Sequence, residues 1–584
     1  MVKTRKNNLA KLTSYFKNSR IKLLLALLLT ILYTVGVSAA PYIEGLITTS
    51  LLNDVQNKLP INYEYILSII VLLVVLYLIT NLSRIVLQFL LTSAIQNAIY
   101  DLRSNIKNKI SKLPINYFDK HTTGSILSTI STDVETISNA LQQSLFQIMN
   151  TIIGLIIVIV IMFRIDFQLA LIGITILPLG YLVASIIIKK SQVIFRRQQN
   201  ALANLNGVVQ EMYSGFNEIK LFNKEEDMIE KFAETNDNLR KSGFKALFSS
   251  GLLSPLLSLI TYITISISIM VGILKVIDGV LVIGVVQAFI RYIWQEQQYL
   301  SQVTQFSSVI QSSFAAMTRV FDFLEADEEV AELDLPKTIT DLKGNVDFNH
   351  VYFSYDENPL ISDFDFKVKS GQTIAIVGPT GSGKTTIINL LMRFYDVNSG
   401  SIEVDGVDIR DMRRDDLREM FGMVLQDTWL FSGTIRENLR YGNQEATDAE
   451  IEIAAKKTNI DHFIRTLPNG YNMVINEESS NISDGEKQLL TITRALISDP
   501  KILILDEATS SVDTRLEVLI QEAMELLMEG RTSFVIAHRL STIRNADVIL
   551  VLKDGKLIER GNHEELIKEN GFYAELYESQ FAES

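Results

Sequence analysis

The chain has 584 residues and a mass of 65.8 kDa, which exceeds the usual size of one domain and predicts two or more independently folded parts. Its 54 basic and 67 acidic residues give a formal net charge of -13, which argues against nucleic acid as a partner. The sequence contains no cysteine, which excludes disulfides, thiol nucleophiles and cysteine-ligated metals.

The N-terminal segment combines positive charge with a long apolar run. Residues 1–22 carry seven basic and no acidic side chains, and an uncharged run from Leu23 to Ile43 follows. A secretory signal peptide also starts with basic residues, but its apolar stretch is shorter, and it would not explain the further long apolar runs of this chain. We therefore predict a first membrane-spanning helix, with the N-terminus in the cytoplasm by the positive-inside rule.

Further apolar runs are long enough to cross about 30 Å of hydrocarbon as helices. One more, from Gly279, is interrupted by Arg291 and Glu296, and we include it because an even number of spans returns the chain to the cytoplasm. The sequence thus predicts an α-helical membrane domain of six transmembrane helices with long cytoplasmic extensions, over residues 1–325. The uninterrupted later runs are Ile66–Leu82, Leu141–Phe163, Phe167–Ile188 and Ala246–Leu274.

Two polar stretches, 83–140 and 189–245, keep the apolar spacing of helices and are predicted to continue into the cytoplasm. Each contains a break, at Pro114–Gly124 and at Tyr213–Asn223, where a short crosswise helix is expected. Charged groups predicted to lie at membrane depth are candidates for lining a cavity, because exposure to lipid is costly; mutual pairing or a position near the headgroups is an equal alternative. These groups are Glu44, Arg84, Arg291 and Glu296.

The chain changes character after residue 325. A charged linker over 326–343 leads to a soluble α/β pattern over 344–584. At its centre, a glycine-rich loop from Gly378 to Thr385 follows an apolar strand, Thr373–Val377, and opens a helix over Thr386–Phe394; this context is typical of a nucleotide phosphate loop. Lys384 is expected to reach the β- and γ-phosphates, and the Thr385 hydroxyl to ligate Mg²⁺. Predicted nucleotide contacts are Gly378, Thr380, Gly381, Ser382, Gly383, Lys384, Thr385 and Thr386.

A second motif, Lys501-Ile-Leu-Ile-Leu-Asp506-Glu507, is a buried strand that ends in two carboxylates. Asp506 is placed to hold Mg²⁺, directly or through water, and Glu507 to polarise the attacking water. Paired acids after a strand are common surface features, but together with the phosphate loop they indicate nucleotide hydrolysis.

With these motifs in order, the chain resembles the ATP-binding cassette (ABC) superfamily over nearly its whole length. The resemblance implies ATP as the nucleotide and an adenine-stacking role for Tyr355 in Phe353-Ser-Tyr355. It implies that Gln426 contacts Mg²⁺ and that His538 is the switch histidine at the γ-phosphate. It also places Asp513, in Ser511-Val-Asp513, in the loop that crosses the interface of two cassettes.

The family's signature motif, Leu-Ser-Gly-Gly-Gln, is altered here to Ile482-Ser-Asp-Gly-Glu486. Ser483 and Gly485, which the resemblance implies touch the γ-phosphate on the opposite cassette, are retained. Asp484 and Glu486 bring two carboxylates close to a polyphosphate, where like charge is costly, and should partly cancel the helix-dipole attraction. The alternative, in which both acids point into solvent, stays open.

A membrane domain fused ahead of a cassette resembles the exporter half-transporters of the family. The resemblance implies a second half-transporter subunit as partner, a site in the bacterial cell membrane, and coupling helices at the two breaks. The leading expectation is ATP-driven efflux of hydrophobic or amphipathic compounds, with the chain as the catalytic-glutamate-bearing subunit of a heterodimeric multidrug exporter. A homodimeric lipid or glycolipid flippase and a non-transporting ATP-dependent regulator are the alternatives.

Overall fold

The structure, a computed structural model, describes residues 2–425, 428–476, 481–506, 514–536 and 540–581. The chain divides into two compact units, one formed by Met1–Lys112 with His121–Asp327, the other by Leu113–Lys120 with Glu328–Ser584. The first unit is helical and the second is α/β, which is the class of each that the sequence predicts.

The helices of the first unit are long because polar residues follow the apolar runs without a helix breaker between them. The longest, 48 residues, extends about 70 Å, more than twice the hydrocarbon thickness. In chain order the helices are α1 Val2–Ser14, α2 Arg20–Gln56, α3 Tyr63–Ile110, α4 Ile115–Lys120 (in the second unit), α5 Thr123–Ser128, α6 Val134–Ile165, α7 Phe167–Ile174, α8 Ile176–Ser214, α9 Phe216–Leu221, α10 Glu225–Gly251, α11 Leu253–Ile277 and α12 Ile283–Glu325.

Among the described residues, five stretches of helix are long and apolar enough to cross a membrane. Helix α12, which contains the interrupted sixth run, is not one of them, because Arg291, Glu296 and the neighbouring glutamines dilute its apolar sequence. The first five predicted runs therefore lie in spanning-type helices, and the count of six depends on α12 alone. The stretches are Lys17–Gln56, Tyr63–Ile110, Thr123–Ile165, Phe167–Ser214 and Glu225–Ile277.

Helix α12 packs along α2, α6, α8 and α11. Its closest approach is to α2, where a Cβ atom on Gly45 would lie 2.3 Å from the carbonyl oxygen of Gly284, so that only glycine fits. Further along, the Tyr292 hydroxyl donates to the carbonyl of Ser38 at 3.0 Å. These contacts fix the position of α12 relative to α2.

The turn between the third and fourth predicted spans is tighter than the sequence indicates, because Asp166 alone separates α6 from α7. Its carboxylate accepts a hydrogen bond from the Leu169 amide at 2.8 Å and thereby caps α7. The same carboxylate pairs with Lys275 of α11 at 2.6 Å. The two predicted cytoplasmic breaks contain the short helices α4 and α9.

The second unit is built on a six-stranded sheet, with a four-stranded antiparallel sheet beside it. The strands are β1 Val346–Phe353, β2 Ile361–Val368, β3 Thr373–Val377, β4 Ser399–Val404, β5 Val407–Asp408, β6 Phe421–Val424, β7 Gly433–Thr434, β8 Val474–Ile475, β9 Ile502–Asp506, β10 Thr532–Ile536, β11 Val548–Lys553 and β12 Lys556–Gly561. The large sheet has the order β12-β11-β3-β10-β9-β6 and is parallel except at β12.

Helices cover the sheet and bury its apolar strands on both faces, as expected for a parallel sheet. The helices are α13 Lys384–Leu391, α14 Arg414–Glu419, α15 Ile435–Arg440, α16 Asp448–Lys457, α17 Asp461–Thr466, α18 Asp484–Ser498, α19 Thr514–Met528, α20 Leu540–Arg544, α21 His563–Glu569 and α22 Phe572–Phe581. Helix α13 begins at Lys384, two residues before the predicted start, and ends at Leu391 instead of Phe394.

Candidate nucleotide site

Four neighbouring parallel strands end at one edge of the large sheet. Ile536 of β10 pairs with Ile376 of β3 on one side and with Asp506 of β9 on the other, and β6 lies beyond β9. Because adjacent strands are about 4.8 Å apart, Asp506 lies about 10 Å from the end of β3 along this edge. Since β3 leads directly into the phosphate loop, the loop and Asp506 share the edge.

The phosphate loop is a tight connection between β3 and α13. Gly381 and Gly383 have φ angles of +83° and +101°, a region that side chains with a Cβ rarely adopt. The Ser382 hydroxyl is buried and has no hydrogen-bond partner in the described part of the chain. A buried polar group without a partner, at the N-terminus of a helix, is suited to an anionic ligand such as a phosphate.

Lys384 is folded back over this loop. Its ammonium donates to the carbonyl oxygens of Gly378 at 2.8 Å and Pro379 at 3.1 Å. Burial lowers the pKa of Lys384 from its ordinary value, while the Asp506 carboxylate acts in the opposite direction. Lys384 therefore lies close enough to Asp506 for their charges to interact. A bound phosphate needs a positive group such as Lys384, and the metal cation that accompanies it needs a carboxylate such as Asp506.

Tyr355 lies beside the first turn of α13. Its hydroxyl is 3.3 Å from the hydroxyl of Thr386 and accepts a bond from the Asn389 amide at 3.4 Å. The ring is 41% exposed, so one face is accessible for a stacked base. Thr380, Thr385 and the loop glycines complete the predicted set, and Thr385 is exposed at the start of α13.

Sequence reasoning missed Tyr395. Its ring packs edge-on against Tyr355, with 4.8 Å between ring centroids, and its hydroxyl donates to the carboxylate of Asp119 in α4. Burial, and then the Asp119 carboxylate, raise the pKa of Tyr395 above its ordinary value. Asp119 lies within the break noted in the sequence, but no pattern indicates a contact between residues 276 positions apart.

The altered signature forms the N-terminus of α18, and the structure gives each of its acids a partner. The Glu486 carboxylate accepts a hydrogen bond from the Ser483 amide at 2.9 Å, and Asp484, which is 78% exposed, pairs with Lys487 at 3.0 Å. Gly485 is buried beneath them. Glu486 thus turns back onto the helix N-terminus, whereas Asp484 is largely exposed to solvent.

Four of the predicted residues, Gln426, Glu507, Asp513 and His538, lie outside the described residues. Gln426, Glu507 and His538 come shortly after β6, β9 and β10 in the sequence, and those strands end at the edge that carries the phosphate loop. Their roles, and that of Asp513, stay predictions.

Comparison with known proteins accounts for both units. Residues 23–300 match the ABC transporter transmembrane region, and residues 361–510 match the ABC transporter family of ATP-binding domains. The chain is 38% identical over 580 residues to an uncharacterized ABC transporter ATP-binding protein of Bacillus subtilis, covering 99% of this chain and 95% of the relative. This chain belongs to the ABC transporter family.

Other relatives of the transporter carry more specific names. It is 43% identical over 491 residues to a fatty acid ABC transporter ATP-binding/permease protein of Mycobacterium bovis, covering 83% of this chain and 77% of the relative. It is 36% identical over 488 residues to an ATP-dependent lipid A-core flippase of Syntrophus aciditrophicus, covering 84% and 81%.

A solved structure fixes the fold class of the transporter. A bacterial Atm1-family ABC exporter with ATP bound superimposes with a TM-score of 0.76 and 29% identity, over 97% of this chain and 99% of that one. The transporter is therefore an ABC exporter, whose cassette binds ATP and couples its hydrolysis to transport. The phosphate loop, Lys384 and Asp506 form the part of its ATP site that the structure describes.

We predict that Lys384→Ala weakens ATP binding by about tenfold or more, because it removes the charged donor that faces the loop and Asp506. Binding of a fluorescent ATP analogue to the full chain in detergent measures the effect. Lys369→Ala, which removes an exposed lysine elsewhere in the cassette, is the matched control. Equal affinity of the Lys384 variant and the wild type would contradict the phosphate-loop assignment.

We predict a different effect for Glu507→Gln, which keeps the size of the side chain and removes its charge. If Glu507 orients the attacking water, ATP affinity is retained while turnover falls by about two orders of magnitude or more. The two quantities are measured on one preparation, by nucleotide titration and by phosphate release. Retained turnover would remove Glu507 from the catalytic group.

Proposed function

We propose that this exporter is one subunit of a heterodimer that moves hydrophobic or amphipathic compounds out of the cell, with one competent and one degenerate ATP site. The observation that carries the proposal is the position of Glu486 at the N-terminus of α18. Multidrug efflux is the activity that we assign to the pair.

The negative charge of the altered signature favours two unlike subunits. In the family, each ATP site combines the phosphate loop of one cassette with the signature of the other. Here the Ser483 amide is engaged by Glu486, so an incoming γ-phosphate meets a carboxylate where the motif would otherwise offer neutral donors. In a homodimer this repulsion would act at both sites. In a heterodimer it acts at one, and the partner's signature completes a competent site with Lys384 and Glu507.

A second set of observations supports a partner chain. The side chains around α9, the second predicted coupling helix, are apolar and exposed: Tyr213 by 86%, Leu221 by 75% and Phe222 by 68%. They border a groove lined mainly by Met212, Phe216, Met228 and Phe232. Exposed apolar clusters of this kind mark interaction surfaces, and we assign this one to the cassette of the second half-transporter subunit.

We infer that Mg²⁺ accompanies ATP in the competent site. Mg²⁺ usually binds through one or two protein oxygens in addition to phosphates and water. Thr385, exposed at the start of α13, and Asp506, at the end of β9, lie on the edge that carries the loop, and Gln426 follows β6. When bound, the ion would neutralise charge on the phosphates, while Lys384 and Ser382 hold the nucleotide in place.

An exporter of one lipid or glycolipid, working as a homodimeric flippase, is the second candidate. The names of two relatives favour it, since one is called a fatty acid transporter and another a lipid A-core flippase. Both candidates take a ligand with an apolar body and a polar head, so the membrane unit needs apolar helix faces and a few polar groups in either case.

We also propose that α12 is a sixth span, so that both termini and the cassette are cytoplasmic in the bacterial plasma membrane. Single cysteines on the cysteine-free chain test this with an impermeant thiol reagent on intact cells. Positions 58, 166 and 278 should be labelled from outside, and positions 120, 225 and any position after 330 should be protected until the cells are opened. External labelling at position 225 would refute the six-span arrangement.

Purification of the chain alone, and together with the partner that co-purifies from its native membrane, tests the heterodimer. We expect ATP turnover and transport of a fluorescent amphiphile in proteoliposomes from the pair but not from the single chain. Robust activity of the single chain with a labelled lipid would instead favour the flippase.

Restoration of the signature tests the charge argument within the pair. Asp484→Gly combined with Glu486→Gln should increase nucleotide turnover at the degenerate site while changing maximal transport by less than about twofold. Glu529→Gln, at an exposed position on the cassette, is the control. Unchanged nucleotide handling in the double variant would contradict a role for these acids.

A further inference from the structure

Helix α12 places a carboxyl group in the interior of the membrane unit. Glu296 is 0% exposed, and neither of its carboxylate oxygens has a hydrogen-bond partner among the described residues. An ionised carboxylate that is removed from water without a cation or donor is strongly unfavourable, whereas the neutral acid is far less so. The position of Glu296 therefore favours the protonated form.

The surroundings of Glu296 are set by its neighbours on α12. One turn away on either side, Ile293 lies against Gly173 of α7 and Leu300 lies against Gly180 of α8. Tyr299, three residues on, contacts Gly154 of α6. Glu296 is therefore enclosed by α6 and by the α7–α8 pair, where Val158 and Ile176 are both fully buried.

Helix α11 also packs against α12 at the level of Glu296. The Tyr262 ring packs edge-on against Trp294 at 5.5 Å, so the antiparallel helices bring the buried Thr261 to the level of Glu296. The Thr261 hydroxyl already donates to the carbonyl of Leu257 at 2.9 Å. The proton of this hydroxyl is therefore used within α11 and is not donated to Glu296.

The α7–α8 pair is also interrupted at this level. Helix α7 ends at Ile174 and α8 begins at Ile176, between the two glycine contacts that bracket Glu296. Pro178 has no N–H group and cannot donate to the carbonyl of Ile174, as a residue in a regular helix would. A neutral carboxylic acid is a hydrogen-bond donor and an ionised one is only an acceptor, so a carbonyl left without a donor by such a break can interact favourably with the acid form alone.

Three charged groups nearby, Glu44, Arg291 and Lys275, have partners other than Glu296. Glu44 of α2 accepts a hydrogen bond from Tyr77 at 2.9 Å and lies 4.0 Å from Arg291, and Lys275 of α11 pairs with Asp166. None of them forms an ion pair with Glu296 in the described part of the chain. Besides Glu296, the titratable groups on the packed elements are Arg20, Lys22, Tyr33, Tyr42, Glu44 and Asp54 on α2, Tyr63, Glu64, Tyr65, Tyr77, Arg84, Tyr100, Asp101, Arg103, Lys107 and Lys109 on α3, Glu135 and Arg164 on α6, Tyr181, Lys189, Lys190, Arg196, Arg197, Glu211 and Tyr213 on α8, Tyr262 and Lys275 on α11, and Arg291, Tyr292, Tyr299, Arg319, Asp322 and Glu325 on α12; α7 has none.

We propose that Glu296 is a proton-binding site of the membrane unit, whose carboxyl carries its proton as long as α12 is packed against α6, α8 and α11. Separation of these helices during transport brings water to the carboxyl. The O–H bond then breaks, the proton passes to water, and the carboxylate remains on the open surface. The packed conformation and the bound proton therefore stabilise each other, whatever compound is transported.

Infrared spectroscopy of the full chain in lipid nanodiscs at neutral pH detects the proton directly. The carbonyl absorption of a carboxylic acid should be present in the wild type and lost in Glu296→Gln. Glu44→Gln is the matched control, since that acid is partly exposed beside Arg291, and this change should leave the absorption as it is in the wild type. Identical carboxylic-acid absorption in the wild type and the Glu296 variant would overturn the proposal.

A stability measurement tests the same proton without spectroscopy. Glutamate in an unfolded chain ionises near pH 4.3, so a folded chain that keeps this proton binds one more proton than the unfolded chain above that pH. The folded-to-unfolded ratio of the wild type should then fall relative to Glu296→Gln by about tenfold per pH unit, until the folded carboxyl ionises as well.

Chemical unfolding in detergent between about pH 5 and pH 8 measures this difference. Parallel pH dependence of the wild type and Glu296→Gln would contradict the proposal. Glu296→Leu gives a second readout, because a neutral acid in an apolar site can be replaced by an apolar side chain. Failure of both variants to fold would contradict the proposal, which expects neutral side chains to be tolerated at this position. Neither measurement involves transport, so the outcome is independent of the function proposed above.

Discussion

The pairing of β10 with both β3 and β9 sets the geometry of the nucleotide site. It aligns Ile376, Ile536 and Asp506 in one row across the sheet, so that the phosphate loop and the acidic end of β9 begin at the same height. Lys384 then faces Asp506 across the loop, and Tyr355 lies beside the helix that the loop opens. A shift of one residue in this register would move Asp506 away from the edge and turn its side chain to the other face of the sheet.

Much of this arrangement is predictable from the sequence, because its signals are local. The strand at Thr373–Val377 has the bounds that its apolar run predicts, and the glycine-rich loop that follows fixes where the chain turns. The start of α13 was misplaced by two residues, since the left-handed Gly383 ends the loop directly before Lys384. Likewise, apolar runs identify five spanning helices, but not how far each continues through polar sequence.

The contacts that sequence reasoning could not supply are those between distant positions. The bond from Tyr395 to Asp119, and the complete burial of Glu296, depend on how separate helices pack. The hydrogen bond between Ser483 and Glu486 differs from these contacts, because the two residues are close in the sequence. Ser483 and Glu486 have the spacing of a helix capping pair, so the sequence contained a signal that the acid would turn back onto its own helix. The repulsion expected between these acids and a polyphosphate is a separate property and does not exclude this local bond.

Glu486 and Glu296 lie in opposite environments for a carboxyl group. Glu486 accepts a hydrogen bond from a backbone amide at a helix N-terminus, where negative charge is favourable. Glu296 is buried and has no hydrogen-bond donor to its carboxyl oxygens among the described residues. Negative charge is thus favoured at the start of α18 and disfavoured at the buried position of Glu296 on α12.

The glycine contact between α2 and α12 has a mechanical consequence. Where Gly45 meets Gly284, backbone touches backbone, and no side chain is present to change rotamer and absorb a displacement. The amide of Gly284 is also tied to α2, since it donates to the hydroxyl of Thr49 at 3.2 Å. A displacement of α12 at this crossing therefore requires an equal displacement of the α2 backbone, because no side chain separates the two helices.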